Sequence, residues 1–247
     1  VSEYINKVKP EYIINCAAYT AVDKAETAGK IVEKINAEGP KNLAKAAKEN
    51  NTVLVHISTD YVFGGDSEIS KVYNEDDEKA PVTAYGITKL HGEEEILKNT
   101  DKYYIFRTAW LYGDGNNFVR TMIKLGETKE EINVVADQYG SPTYAEDLAG
   151  YIAEAIEKHI PYGIYNATNE GFTTWYDFTR KIFEYTGIKC KVNPVTTEEY
   201  IEMMKITQAK RPKNSQLSKD KLKDQGIEVP EWEEALKRYL KAEGKMQ

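Results

Sequence analysis

The chain has 247 residues, of which 41% are hydrophobic and 30% are charged, so it can bury a sizeable core as one large domain or two small ones. Its formal net charge of -7 argues against a nucleic-acid-binding protein, because no long basic stripe offsets it. No apolar run reaches the roughly 20 residues of a membrane-spanning helix. The start of the chain does not resemble a signal peptide, and two cysteines do not make a disulfide framework. We therefore expect a cytoplasmic protein.

The first half of the chain alternates between strand-like and helix-like stretches. Residues 1–9 are typical of the end of a crossover helix, and 11–18 forms a short apolar run. Residues 30–50 have helical spacing that we expect to be broken at Gly39-Pro40, and 52–59 is β-branched and apolar, as is typical of a strand buried on both faces. Further along, the pattern predicts a helix over 84–98 with Thr83 as its N-cap, a strand over 103–113, a helix over 116–126 closed by Gly126, and a strand over 132–137.

This alternation of strands and helices predicts an α/β fold with a Rossmann-like, doubly wound parallel sheet. Ligands of such sheets bind beyond the carboxyl ends of the strands. We therefore expect candidate site residues within 17–20, 58–61 and 108–112, where three predicted strands end.

After about residue 140 the predicted elements become mostly helical. Amphipathic helices are predicted over 143–159, 173–187 and 231–243, with a short strand over 163–168 between them. We interpret residues 1–140 as an NAD(P)-binding Rossmann-like domain that is incomplete at its N-terminus. Residues 141–247 are interpreted as a smaller, mixed α/β substrate-binding region that is partly interleaved with the first. The acidic run at 74–79 is expected to be a solvated loop.

A dinucleotide-binding fold normally opens with a strand, a glycine-rich turn and a helix, and no such turn precedes residue 11. The G-x-G at 113–115 would need a third glycine where Phe118 stands, so we interpret it as an ordinary loop. Either the chain is a fragment without its first βαβ segment, or it binds no dinucleotide.

Tyr85 and Lys89 lie four residues apart on a predicted helix, so their side chains share one face. A nearby ammonium and the helix N-terminus both favour a phenolate, and we expect them to lower the pKa of Tyr85. A tyrosine tuned in this way can give a proton to a ketone oxygen while a hydride reaches the carbon. The spacing alone is a weak signal, because the chain has 18 tyrosines. Tyr185 and Lys189 repeat it across Gly187, which is a predicted helix stop.

Two predicted strand ends strengthen the Tyr85 hypothesis. Residues 58–63 end a buried strand with polar groups, and the Thr59 hydroxyl could bind a substrate oxygen beside Tyr85. Residues 15–20 end the preceding strand with small side chains, which let a flat ring approach the backbone. The alternatives are an ordinary strand-end turn and tight helix–strand packing.

Taken together, several motifs resemble the dTDP-4-dehydrorhamnose reductases, which are extended short-chain dehydrogenase/reductases. The resemblance covers essentially the whole chain, in the order and spacing of the family. Its motifs are NCAAYTAVDKAE (15–26), HISTDYVF (56–63), AYGITKLHGE (84–93), RTAWLYG (107–113) and GSPT (140–143). The set is specific, although each motif alone is not.

The resemblance implies that NADPH or NADH reduces the C4 ketone of dTDP-4-dehydro-6-deoxy-L-mannose to dTDP-L-rhamnose. By position, Tyr85 would donate the proton, Lys89 would support it and hold the nicotinamide ribose, and Thr59 would tune the site. The implied cofactor-binding residues are Ala17, Ala18, Tyr19, Thr20, Ser58 and Lys89. The implied contacts with the sugar nucleotide are Thr59, Asp60, Tyr61, Tyr85, Trp110 and Arg211, the last at the diphosphate. The residues alone do not establish whether the protein binds a Mg²⁺ ion or forms a homodimer, and both questions stay open.

The chain departs from the family at its start, where the glycine-rich opening is absent. By family alignment roughly 45 residues would precede it, about one βαβ unit, and that unit would hold the cofactor pyrophosphate. We therefore expect the 247-residue chain alone to bind NADPH poorly. The alternatives are a non-catalytic binding subunit of the same fold, a sugar-nucleotide epimerase or dehydratase, and a protein that kept only the fold.

Overall fold

The structure, a computed structural model, describes residues 1–65 and 68–247. Its strands are β1 Tyr12–Asn15, β2 Val53–Thr59, β3 Tyr103–Thr108, β4 Leu111–Tyr112, β5 Glu131–Val135, β6 Tyr139–Gly140, β7 Thr143–Tyr144, β8 Gly163–Asn166, β9 Thr173–Thr174, β10 Lys191–Val195 and β11 Asn214–Ser215. Its α-helices are α1 Ser2–Val8, α2 Val22–Ala28, α3 Lys30–Glu33, α4 Gly39–Glu49, α5 Ala84–Asn99, α6 Phe118–Thr128, α7 Ala145–Glu157, α8 Trp175–Thr186, α9 Thr197–Met204, α10 Asp220–Lys223 and α11 Trp232–Ala242. A π-helical turn spans Lys34–Glu38, and a 3₁₀ turn spans Asp60–Val62.

The main sheet has four parallel strands in the order β1-β2-β3-β8. Successive side chains of a strand point to opposite faces. Accordingly Val53 and Val55 pack with α7 on one face, whereas Leu54 packs with α4 and α5 on the other. Helices therefore cover both faces, which explains the mostly apolar character of β2 and confirms the predicted doubly wound α/β fold.

The second half of the chain forms a separate hydrophobic cluster beside this sheet. Helices α6, α8 and α11 pack together around Phe178 and Leu236. Small sheets also lie in this half of the chain: the pair β5-β10 and the three-stranded sheet β11-β6-β9. The strand β8 and helix α7 belong to the main sheet and its cover, so the second half of the chain contributes to both clusters.

The predicted break at Gly39-Pro40 is wrong, because the chain stays helical there and a π turn precedes it. Pro40 has no N–H to give to the carbonyl of Asn36. That carbonyl instead lies against α5 at Gly92, where a Cβ would overlap it. Gly126 does not close α6 either: it lies inside the helix, where its missing side chain makes room for Phe183.

Two further expectations are corrected by the structure. The stretch 103–113 is two strands, because β3 ends at Thr108 and β4 pairs with β7. The acidic run at 74–79 is not wholly solvated, since Glu75 is buried. Its carboxylate accepts the Asn166 N–H at 2.8 Å, and its carbonyl accepts from Arg107 at 2.8 Å. Those donors replace the water that a loop glutamate would otherwise need.

Across residues 1–65 and 68–247, no helix has both the length and the apolar character needed to cross a bilayer.

Candidate active site

The helix that carries Tyr85 and Lys89 is fixed at its N-terminus by two side chains. The Thr83 hydroxyl accepts the Gly86 N–H at 3.0 Å, which confirms the predicted N-cap. The Glu26 carboxylate accepts the Ala84 N–H at 2.9 Å. Two of the unpaired N–H groups of the first turn are thereby satisfied, so the start of α5 is held in place relative to α2.

A cavity of about 360 Å³ lies at the carboxyl ends of β1, β2 and β3, where ligands of parallel sheets bind. Small side chains that follow β1, the polar end of β2 and the start of α5 all line it. The strand ends contribute Cys16, Ala18, Thr20, Ser58, Thr59, Asp60, Tyr61, Thr108, Ala109 and Trp110, and α5 contributes Tyr85 and Lys89.

Lys89 is buried, and its amine binds groups of β2. Its Nζ donates to the Ile57 carbonyl at 2.5 Å and lies 3.2 Å from Nε2 of His56. Burial disfavours the charged amine and lowers the pKa of Lys89 to about 8, against a weaker opposing effect of the Glu93 carboxylate. A lysine in this setting can hold or release a proton near neutral pH.

The pKa of Tyr85 is shifted opposite to the expected direction. Burial raises it above the ordinary value for tyrosine, and the negative charge of Asp60 adds to that shift. The hydrogen bond with the Thr59 side chain acts the other way. Lys89 does not offset the burial, because its amine is directed at His56 and Ile57. Tyr85 therefore keeps its proton at neutral pH, which is the form that a proton donor needs.

Thr59 and Asp60 form a connected polar group beside Tyr85. The Thr59 hydroxyl donates to Asp60 Oδ1 at 2.9 Å and accepts the Tyr61 N–H at 3.2 Å. The Ser215 hydroxyl donates to Asp60 Oδ2 at 2.5 Å. Burial raises the pKa of Asp60 to about 6, although these hydrogen bonds oppose the shift.

A second cavity, of about 400 Å³, adjoins the first and shares Tyr61 and Trp110 with it. The Trp110 ring stacks on Trp175 at 3.6 Å between ring centroids, and its backbone has a left-handed φ of 48°. Non-glycine residues are uncommon in that region and are often found at functional sites. Arg211 also borders this cavity, and its Nη2 donates to both carboxylate oxygens of Asp23 at 2.7 Å.

The structure does not bring every predicted site residue to these cavities. Ala17 and Tyr19 lie on the segment after β1 but do not border the first cavity. Ser58 does border the first cavity, but its hydroxyl donates to Glu93 at 2.5 Å. Thr20 and Ala18 do border the cavity, as predicted.

Three residues near the site were missed by sequence reasoning. His56 is a polar residue in an otherwise apolar strand, and that contrast could have identified it. Asn36 is buried and binds the Tyr19 backbone through both ends of its amide, at 2.8 and 3.2 Å. Nothing local distinguishes Asn36 or Trp175 in the sequence, because their partners are distant along the chain.

The second tyrosine–lysine pair is not part of the site. Helix α8 ends at Thr186, Gly187 follows with φ 67°, and the Tyr185 hydroxyl donates to Glu233 at 2.6 Å. Within residues 1–65 and 68–247, no group of three or more His, Cys, Asp and Glu side chains is placed to hold a metal ion.

Comparison with known proteins gives a consistent result. Residues 1–244 match the RmlD substrate binding domain family. The chain is 40% identical over 252 residues to dTDP-4-dehydrorhamnose reductase of Escherichia coli K12, covering 97% of this chain and 82% of that protein. A crystal structure of a dTDP-4-dehydrorhamnose reductase from Clostridium acetobutylicum superposes with a TM-score of 0.93 at 48% identity, covering 98% of this chain and 84% of that one. The Bacillus anthracis enzyme, solved in complex with NADP, gives a TM-score of 0.91 at 43% identity with the same coverage.

Proposed function

Because the chain belongs to the family of dTDP-4-dehydrorhamnose reductases, we propose that its cleft binds NADPH or NADH and reduces the C4 ketone of dTDP-4-dehydro-6-deoxy-L-mannose to dTDP-L-rhamnose. The protein is thus an oxidoreductase of nucleotide-sugar biosynthesis. The observation that carries the proposal is that Tyr85, Lys89 and Thr59 border one cavity at the ends of three parallel strands.

The residues around the first cavity suit a nicotinamide cofactor. Ala18 and Thr20 leave room for a flat ring beside the backbone, and Lys89 offers a donor to a ribose hydroxyl. Within the part of the chain that the structure describes, the buried Thr108 hydroxyl has no hydrogen-bond partner, so a polar group of the cofactor would satisfy it. A bound dihydronicotinamide would supply the hydride. In the same proposal Ser58 borders the cofactor, and Ala17 and Tyr19 support the cofactor wall from behind.

In the proposed reaction the protein contributes the proton. Tyr85 is protonated at neutral pH because burial raises its pKa, and it gives that proton to the ketone oxygen. The Thr59 hydroxyl, which donates to Asp60 in the structure, would favour the resulting phenolate by turning its hydrogen to the phenolate oxygen. Lys89, with a pKa of about 8, can then return a proton to the phenolate.

The second cavity is proposed to hold the rest of the sugar nucleotide. Asp60, Tyr61 and Trp110 would contact the sugar where the two cavities meet, and Arg211 would bind the diphosphate. For that, Arg211 exchanges its contact with Asp23 for phosphate oxygens, which a guanidinium can bind through two nitrogens in a forked geometry.

Four further predictions belong to this proposal and are open to test. We propose that residues 1–140 mainly bind the cofactor and that 141–247 mainly bind the sugar nucleotide. A cytoplasmic location, a homodimer and a Mg²⁺ ion at a subunit contact also stay predictions.

The proposal is tested by giving the complete protein NADPH and the 4-keto sugar nucleotide, and measuring NADPH oxidation together with product mass. Tyr85→Phe should lower kcat by at least about a hundredfold, because it removes the general acid. Tyr185→Phe is the matched control: its hydroxyl binds Glu233 outside the cleft, and its rate should stay unchanged. An undiminished rate in the Tyr85→Phe variant would refute the assigned role.

The same assay separates the alternatives. A reductase consumes one NADPH for each sugar, whereas an epimerase or a dehydratase recycles its bound cofactor and gives product without net consumption. A binding subunit gives neither product nor consumption.

A further inference from the structure

His56 lies in the middle of β2, with its ring fully buried between β1 and α5. Its Nδ1 is 2.9 Å from Nδ2 of Asn15, and its Nε2 is 3.2 Å from Nζ of Lys89. Both neighbouring atoms are nitrogens that carry hydrogens. A neutral imidazole has one donor and one acceptor nitrogen, so one of the two neighbours must accept a hydrogen from the ring.

The backbone of Ala17 fixes which neighbour that is. Its N–H donates to Oδ1 of Asn15 at 3.2 Å, so the amide directs its NH₂ group towards His56. Nδ1 of the ring therefore accepts, and the ring hydrogen is on Nε2, pointing at Lys89. An ammonium has no lone pair, so Lys89 accepts this hydrogen only as a neutral amine.

The surroundings of the pair disfavour the ammonium relative to the neutral amine. Lys89 is 2% exposed, and burial lowers its pKa to about 8. Burial, together with the charge of Lys89, holds the pKa of His56 well below its usual value. Among the described residues, Glu93 on α5 acts on Lys89 and is itself bound to Arg107 of β3. The titratable side chains that line the cavity with Lys89 are Cys16, Asp60, Tyr61 and Tyr85. His56 thus stays neutral while Lys89 titrates.

Charging Lys89 must rearrange this chain of hydrogen bonds. The ammonium has to donate to Nε2, which moves the single ring hydrogen to Nδ1. The Asn15 amide must then turn its oxygen to Nδ1, and the Ala17 N–H loses its acceptor. The imidazole carries one hydrogen in both states, so the net change is one proton gained by Lys89.

We propose that His56 is a positioning residue that couples the charge of Lys89 to the Asn15 amide, and through it to residues 16–18 beside the cofactor cleft. The importance of this coupling for catalysis rests on the proposed function, whereas the coupling itself does not. Proton uptake by Lys89 and the arrangement of the cofactor wall then change together.

The coupling is tested by NMR on the complete protein with ¹⁵N-labelled histidine, without cofactor or substrate. Two-bond ¹H–¹⁵N spectra distinguish the two ring tautomers, and His56→Gln assigns the signals among the three histidines of the chain. The His56 ring should carry its hydrogen on Nε2 above a pH of about 8 and on Nδ1 below it, following Lys89. In Lys89→Met the tautomer should no longer change with pH. One tautomer throughout in the unmodified protein, or a charged imidazolium between about pH 6.5 and 9.5, overturns the proposal.

The catalytic consequence is tested by the pH profile of kcat/KM for His56→Phe. A hydrogen bond from a charged donor is stronger than one between neutral groups, so the ring stabilises the Lys89 ammonium more than the neutral amine. Loss of the ring should therefore lower the pKa of Lys89. The alkaline limb should move to lower pH by roughly one unit. His91→Phe is the matched control, since His91 pairs with Glu33 away from the cavity, and its limb should stay in place.

A limb that stays in place in folded His56→Phe overturns the catalytic coupling. If His56→Phe does not fold, the tautomer measurement on the unmodified protein decides. If the unmodified protein shows the tautomer change but no reductase activity, the proposed function fails while the coupling stands.

Discussion

Asp60 is buried at the meeting point of the two cavities, and its ionised form is costly there. Two hydroxyl donors, Thr59 and Ser215, bind its carboxylate, yet burial still raises its pKa to about 6 from 3.8. Folding therefore favours the protonated carboxyl. The folded protein therefore loses stability as the pH rises from about 4 to about 6, and the whole of this loss is present at pH 7.

We predict that Asp60→Asn stabilises the protein at neutral pH. The amide keeps a similar shape without the buried charge, so the free energy of unfolding should rise by about 1–3 kcal/mol at pH 7. Below a pH of about 3 the two proteins should be equally stable, because the carboxyl is then protonated in both the folded and the unfolded state. Urea unfolding at both pH values measures the difference.

Asp224→Asn is the control for this comparison, because its side chain lies on the surface and should change stability by less than about 0.5 kcal/mol. A stability gain in Asp60→Asn that is the same at both pH values would show that charge is not the cause. Such stabilisation is expected to reduce activity, since functional sites often retain unfavourable groups.

At the scale of elements, the position of α5 depends on two glycines. A Cβ at Gly86 would overlap the Tyr61 carbonyl oxygen, and one at Gly92 would overlap the Asn36 carbonyl oxygen. The helix therefore packs directly on the backbone of the 3₁₀ turn at its start and on the π turn further along. Asn36 adds a side-chain contact, donating to the Thr88 hydroxyl at 3.1 Å. These contacts place Tyr85 and Lys89 against the ends of β1 and β2.

We predict that Gly86→Ala lowers both the stability and the activity of the protein, although it adds only one methyl group. The overlap is with backbone, which cannot rotate away, so the start of α5 must move and Tyr85 with it. We expect a loss of about 1–3 kcal/mol of stability and a fall in kcat of at least about tenfold, because small displacements of a catalytic group are costly.

Gly150→Ala is the control. It also lies in a helix, α7, but an added Cβ meets nothing within 4 Å, so it should stabilise by about 0.5–1 kcal/mol. Equal effects of the two substitutions would contradict the packing argument.

At the scale of the whole molecule, a buried ion pair joins the main sheet to helix α5. Arg107 of β3 binds both oxygens of Glu93 on α5, at 3.0 and 2.7 Å, and both side chains are almost fully buried. The guanidinium also donates to the Glu75 carbonyl, and the Glu75 carboxylate accepts the Asn166 N–H of β8. One network therefore connects β3, β8, α5 and the segment after residue 68.

We predict that Arg107→Met lowers the free energy of unfolding by about 3–5 kcal/mol, because it leaves Glu93 buried and unpaired. Adding Glu93→Gln should restore part of that loss, since the double variant has no uncompensated charge. Urea unfolding of both single variants and the double variant gives the coupling energy. The exposed pair Lys158–Glu154 is the control, and Lys158→Met should cost less than about 1 kcal/mol. Strict additivity of the two buried substitutions would contradict a coupled pair.

The sequence by itself determined what depends on near neighbours. The Thr83 cap, the four-residue spacing of Tyr85 and Lys89, the apolar run of β2 and the stop at Gly187 are local patterns, and the structure contains each of them. Because βαβ connections bring parallel strand ends to one edge, these patterns were also enough to predict where the cleft lies.

Only the tertiary structure decided which groups lose water and what replaces it. Burial raises the pKa of Tyr85. The Lys89 amine does not offset this rise, because it is directed at His56 and Ile57. Glu75 is buried because Asn166, 91 residues away, supplies a donor. Desolvation and hydrogen bonding depend on contacts between distant parts of the chain, and a period of two or 3.6 residues carries no information about them.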